Sequence, residues 1–149
     1  MQTNPNNSQT IEQLNSFLRG ELSAVETYRQ ALEKIGPTSP VATQLQACAR
    51  SHESRVQMLA QEVLQLGGEP AKSSGVWGTF AKLLEGGAQA FGEKAAISVL
   101  EEGEDHGRDD YRRDLESLSA PARRLIEMHV LPEQERTHRT LSSIKRSLS

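Results

Sequence analysis

The segment Gly20-Glu21, Tyr28-Arg29, Leu32 recurs as Gly103-Glu104, Tyr111-Arg112, Leu115, each identity held at an offset of 83 residues, as from Glu21 to Glu104. The residues between drift. The chain has two tyrosines, and both fall in this register. A spacing kept across two otherwise unlike segments predicts equivalent helices in two halves of a pseudo-twofold bundle. A twofold axis brings equivalent residues face to face.

Apolar residues at Leu14, Leu18, Val25, Leu32 and Ile35 alternate in threes and fours, which places one stripe on one face of a first helix, and positions 21 and 28 fall in that stripe. Thr10 and Gln13 suit a capping box at its start, and Gly36-Pro37 a stop. Ser39-Pro40 opens a second helix, with Val41, Leu45, Ala49, His52, Val56, Leu59, Val63 and Leu66 inward and Gly67-Gly68 at its end. His52 is the polar intruder there. From LGGEP to about Phe91 the chain is rich in Gly and Ser, which reads as a long crossover holding a short amphipathic helix from about Val76 to Leu84. Trp77 lies in that piece and reads as a plug over the bundle end or an oligomer contact.

A third helix carries Ile97, Leu100, Glu104, Tyr111, Leu115 and Leu118 inward, with Glu101 one turn before Glu104 on the same face. A fourth runs from about Ala122 to Leu148, with Leu131, His138, Leu141 and Leu148 inward and Glu135 beside them. Pro132 has no N–H for the carbonyl of Met128, so a kink or a split is expected there. No stretch reads as a β-strand. The expected fold is an all-α antiparallel four-helix bundle with a long crossover between its second and third helices, residues 1–9 forming a disordered tail and 10–149 a single domain.

Each half puts a glutamate in an apolar stripe, where a lone ionised carboxylate costs several kcal/mol unless it is paired or metal-bound. Glu21, His52, Glu104, Glu135 and His138 all lie near mid-helix and so fall at one level of the bundle. Carboxylates and imidazoles converging from four helices are the ligand set of a dinuclear iron or manganese site. Arginines at positions 19, 55, 108 and 112 offer the competing arrangement, ion pairs without metal. His106 and His129 read as surface residues.

Glu21-x-x-Ala24-x-x-x-Tyr28 and Glu135-x-x-His138 resemble motifs of the ferritin, bacterioferritin and rubrerythrin superfamily. More closely, the order of LNSFLRGELSAVETYRQAL, LGGEP, SGVWG and LPEQERTH, from about Ile11 to Ile144, resembles a bacterial family of ferritin-like bundles classed as a domain of unknown function. The resemblance implies a ferritin-like fold and iron, as one ion or a pair, held by Glu21, His52, Glu101, Glu104, Glu135 and His138. Manganese and zinc suit the same donors. Tyr28 and Tyr111 would hydrogen-bond the ligating carboxylates if metal is present, or else their hydroxyls reach the bundle's polar layer.

The second helix departs from this pattern. The usual Glu-x-x-His becomes Ala49-x-x-His52, or, without a gap, His52 takes the glutamate position and Arg55 the histidine position. An arginine pointing into the site would displace a cation, and the sequence leaves its direction open. The implied activity is slow ferroxidase or peroxide-related chemistry, and the lack of a rubredoxin-like cysteine cluster favours slow ferroxidase or simple metal holding over multi-turnover peroxidase activity. The rival reading is a metal-free bundle in which the polar layer sets helix register, acting as a stress-associated or scaffolding oligomer.

A formal net charge of -3 gives no electrostatic reason to expect nucleic acid or a membrane as partner. The single cysteine, Cys48, suits a reducing compartment, and with no apolar run long enough to span a bilayer the cytoplasm is the expected location. A homodimer is the default assembly for such bundles.

Overall fold

The computed structural model describes residues 6–74 and 92–148. The first helix, α1, spans Asn7–Ile35 and begins inside the expected tail. Its cap is Asn6, which accepts from the Gln9 N–H at 2.8 Å while the Gln9 side chain accepts from the Asn6 N–H at 3.0 Å. Thr10, expected as the cap, is fully buried instead and accepts from the Ser119 N–H at 2.9 Å, tying α1 to the start of the last helical segment. Gly36 ends α1 with φ 85°, a conformation that L side chains seldom adopt.

The second helix, α2, spans Ala42–Gln65, and the Ser39 carbonyl receives the Ala42 N–H at its entry. It closes through Gly67 at φ 84° and a bond from the Gly68 N–H back to the Val63 carbonyl at 2.9 Å. The third, α3, spans Glu93–Asp114 and runs into a short 3-10 turn over Leu115–Ser117. The expected short helix from Val76 to Leu84, with Trp77, lies outside the described residues.

The last helical run has three parts: α4 over Ala120–Leu125, a π-helical turn over Ile126–Val130, and α5 over Leu131–Leu148. Pro132 therefore does not split the helix. The turn just before it is widened, with the Leu131 N–H donating to the Ile126 carbonyl five residues back. This wide turn also keeps the inner stripe in line. Ile126, Val130 and Gln134 are all buried. Two successive steps of four would carry a stripe about 80° around a regular α-helix.

The described residues contain helices and no strand, and they form an all-α four-helix bundle. α1 packs on α2 and α3, α3 packs on α5, and α2 touches α5 least. Its apolar core has two parts. One gathers Tyr28, Ala31, Leu45, Cys48, Ile97, Leu100, Leu141 and Ile144. The other gathers Leu14, Phe17, Leu18, Leu59, Val63, Tyr111, Ile126 and Val130. Burying a leucine such as Leu14 or Leu59, both at 0% exposure, contributes about 2–3 kcal/mol each. Between the two clusters lies a buried polar layer: Glu21, His52, Arg55, Glu104, Gln134 and Thr137. Among the described residues, no helix is long and apolar enough to cross a membrane.

Candidate functional site

The repeated glutamates meet as the twofold reading predicts. Tyr28 of α1 donates to Glu104 of α3 at 2.6 Å, and Tyr111 of α3 donates to Glu21 of α1 at 2.8 Å. His52 of α2 sits between the two carboxylates, its Nδ1 2.6 Å from Glu21 Oε2 and its Nε2 2.7 Å from Glu104 Oε2. The five side chains form one unbroken hydrogen-bonded line from tyrosine to tyrosine with the imidazole at its centre. The Tyr28 and His52 rings also pack together, their centroids 5.1 Å apart.

Arg55, one turn beyond His52, points into the layer and has no exposed surface. Its Nη1 donates to Gln134 Oε1 at 2.5 Å and to Glu21 Oε1 at 3.3 Å. Its Nη2 donates to Thr137 Oγ1 at 2.8 Å and Ser51 Oγ at 3.1 Å. Glu104 is closed off from the other side, because Thr137 Oγ1 and Gln134 Nε2 donate to its Oε1 at 2.7 and 3.0 Å. Gln134 reaches this point past Gly107, where a Cβ would lie 3.2 Å from its Oε1.

The charges explain one another. Burial pushes both carboxyls up, but Arg55 and His52 outweigh it at Glu21, and His52 with Arg55 and Tyr28 holds Glu104 down at about 2. Burial likewise works against a charged His52, yet the Glu104 and Glu21 carboxylates raise it above the ordinary imidazole value. Burial first, then the neighbouring carboxylates, keeps both tyrosine hydroxyls protonated far above their usual range. Two carboxylates, one imidazolium and one guanidinium make a layer with no net charge.

Of the residues expected to hold iron, Glu21, His52 and Glu104 converge, and Tyr28 and Tyr111 donate to the two carboxylates. Glu101, Glu135 and His138 do not join them. Glu101 faces Lys145 at 3.3 Å and Ser142 at 3.4 Å. Glu135 accepts from Arg112 at the surface, and His138 contacts Asp105 and Arg108. Gln134 and Thr137 stand in their place. Counting back from buried Leu141 in whole turns gives 137 and 134, one residue before the Glu-x-x-His pair. That count was the available signal.

This donor set does not fit an iron pair. Both imidazole nitrogens face carboxylates, and a guanidinium occupies the space beside Glu21 that a cation would need. Among the described residues, no group of three or more His, Cys, Asp or Glu side chains is placed to hold a metal ion.

A cleft between α1 and α3 leads down to the layer. It is lined by Phe17, Leu100, Gly20, Gly103, Gly107 and Asp110, with Glu21, His52 and Glu104 at its floor. Its lining repeats the twofold relation, since Gly20 and Gly103, and Phe17 and Leu100, are pairs at the same offset, Phe17 in one apolar cluster and Leu100 in the other. The cavity at its base has a volume of about 50 Å³.

Residues 9–117 match the family described as a domain of unknown function, DUF2383. The chain belongs to that family. The matched region includes Glu21, Tyr28, His52, Arg55, Glu104 and Tyr111, so the line of five side chains and the arginine lie within the family's own domain. Gln134 and Thr137 come from the helix beyond it. No curated protein and no solved structure matches the chain.

Proposed function

We propose that this protein is a metal-independent helical bundle that acts through its surface as a scaffolding or stress-associated oligomer, its buried charges fixing helix register. The observation that carries this reading is the seating of Arg55. A guanidinium with four oxygen partners from α1, α2 and α5 supplies the positive charge that the buried carboxylates require. Apart from Arg55 Nε, which has no hydrogen-bond partner among the described residues, the charged groups of the layer are bonded to one another, which favours work at the domain's exterior. Leu64 at 57% and Met128 at 65% exposure are large apolar side chains left in solvent, Leu64 next to buried Val63 and Met128 two residues from buried Ile126 and Val130, all three members of the Leu14 cluster.

The iron-binding, ferritin-like reading draws on one feature, the convergence of Glu21, His52 and Glu104. It requires Arg55 to leave and His52 to give up a carboxylate. Anaerobic Fe(II) titration of chelator-stripped protein, followed by admission of oxygen, separates the two. The metal-independent reading expects no saturable binding and a melting temperature unchanged by chelators. Saturable uptake followed by near-ultraviolet absorption of a ferric product would replace it with a ferroxidase reading. Light scattering on the Leu64→Asp and Met128→Asp variants then tests the surface: loss of an assembly present in the wild type supports oligomeric action, and a wild-type monomer overturns it.

A further inference from the structure

We infer that Arg55 is a tethered substitute for a metal cation, and that the layer it fills becomes a divalent transition-metal site once its charge is removed. This rests on the metal-independent reading of the wild-type layer. The two terminal nitrogens of the guanidinium are surrounded by oxygens as an ion would be, while the buried Nε has no hydrogen-bond partner among the described residues. Glu21 Oε1, Gln134 Oε1, Ser51 Oγ and Thr137 Oγ1 face its two terminal nitrogens within 3.3 Å, and His52 Nε2 lies 3.4 Å from Nη2. These donors come from three helices, and Glu104 of α3 adds a carboxylate from the fourth side through Thr137 and Gln134.

The chemistry follows from the charges. Glu21 and Glu104 are 4% and 2% exposed, and truncating Arg55 leaves a single imidazolium to balance the two carboxylates. An unmatched buried negative charge is costly, and an ion that enters cancels it. As the ion enters, His52 releases a proton to solvent, and the freed imidazole nitrogen with the carboxylate oxygens suits Mn(II), Fe(II), Co(II) or Zn(II), while the imidazole argues against magnesium. An entry path exists, since the α1/α3 cleft opens on Glu21, His52 and Glu104 and, among the described residues, no lysine or arginine lines it.

The test is a Co(II) titration of wild type, Arg55→Ala and Arg55→Ala/Glu21→Gln, read by visible absorption and by melting temperature. The inference expects saturable binding to Arg55→Ala at least tenfold tighter than to the wild type, a rise in its melting temperature, and loss of both effects in the double variant. A folded Arg55→Ala that binds no better than the wild type overturns it. So does a double variant that binds as well as Arg55→Ala. If Arg55→Ala does not fold alone, refolding with and without Zn(II), in parallel with the bulk-keeping Arg55→Met, decides: helicity recovered only with metal supports the inference, and none recovered in either variant sinks it. Tight Co(II) binding by the wild type would instead overturn the metal-independent reading on which the inference stands.

Discussion

Tyr28 on α1 donates its hydroxyl to Glu104 on α3 at 2.6 Å, and the pair is answered through the twofold by Tyr111 and Glu21 at 2.8 Å. Because His52 joins the two carboxylates, the tyrosines at the ends of the line are linked through it. Tyr28→Phe keeps the ring and leaves a buried carboxylate short of a donor, at a cost of about 1–3 kcal/mol. Tyr111→Phe, whose ring packs on Phe17 at 4.6 Å, costs a similar amount. Urea denaturation of both single variants and the double is expected to show a coupling above about 0.5 kcal/mol. Strict additivity would show that the line does not act as a unit.

Stability should peak in mildly acidic solution. Glu104 is held near 2 and Glu21 is also depressed, so their contribution is present above the ordinary carboxylate range and is lost as pH falls toward 2. For Glu104 it is on the order of 3 kcal/mol. His52 is raised, so its contribution is complete below the ordinary imidazole value and fades as pH climbs through the higher folded value. The groups facing it are Glu21 on α1, Arg55 on its own helix and Glu104 on α3. Denaturation midpoints across pH 3 to 9 are expected to rise and then fall. In His52→Gln the alkaline decline should vanish, and its survival would assign that decline to another group.

Two neighbouring pairs on α5 should respond to different extents. Glu135→Ala and His138→Ala remove surface partners and are expected to shift stability by less than about 1 kcal/mol. Gln134→Ala and Thr137→Val strip donors from Glu104 and acceptors from Arg55 inside the bundle, and each should cost about 2–3 kcal/mol. Thermal melts of the four variants check this. Equal losses in both pairs would mean that α5 sits in another register.

Removing Arg55 is expected to be the most damaging single change in the layer. Arg55→Met keeps most of the volume but leaves Glu21 short of its positive partner, at about 3–5 kcal/mol. Adding Glu21→Gln should recover part of the loss, because the second change removes the charge left stranded by the first. A double variant weaker than Arg55→Met alone would place the role of Arg55 in packing.

The bundle was legible because four segments carry helical apolar stripes with clear stops, and because the repeat fixed Glu21, Glu104 and both tyrosines on facing surfaces. His52 could be placed with them because it interrupts an apolar stripe. The direction of Arg55 was not legible, since a side chain one turn from His52 can turn inward or run along the surface, and only the packed neighbours decide. On α5 the Glu135-x-x-His138 spacing suggested a metal motif, while the whole-turn count from Leu141 pointed to Gln134 and Thr137. Neutral amide and hydroxyl groups are cheaper to bury than a carboxylate with an imidazole, and the count prevailed.

The wide turn before Pro132 gives the fourth helix a residue of slack. His52 follows Glu21 by 31 positions, whereas Gln134, which meets the layer from the other half, follows Glu104 by 30. The halves therefore keep step in space while having lost step in number. A ruler laid along the chain finds the twin of His52 at Glu135 and misses the true counterpart by one. The matching has to be done by facing side chains, and a one-residue gain or loss near Ile126–Val130 has a turn there already able to stretch around it.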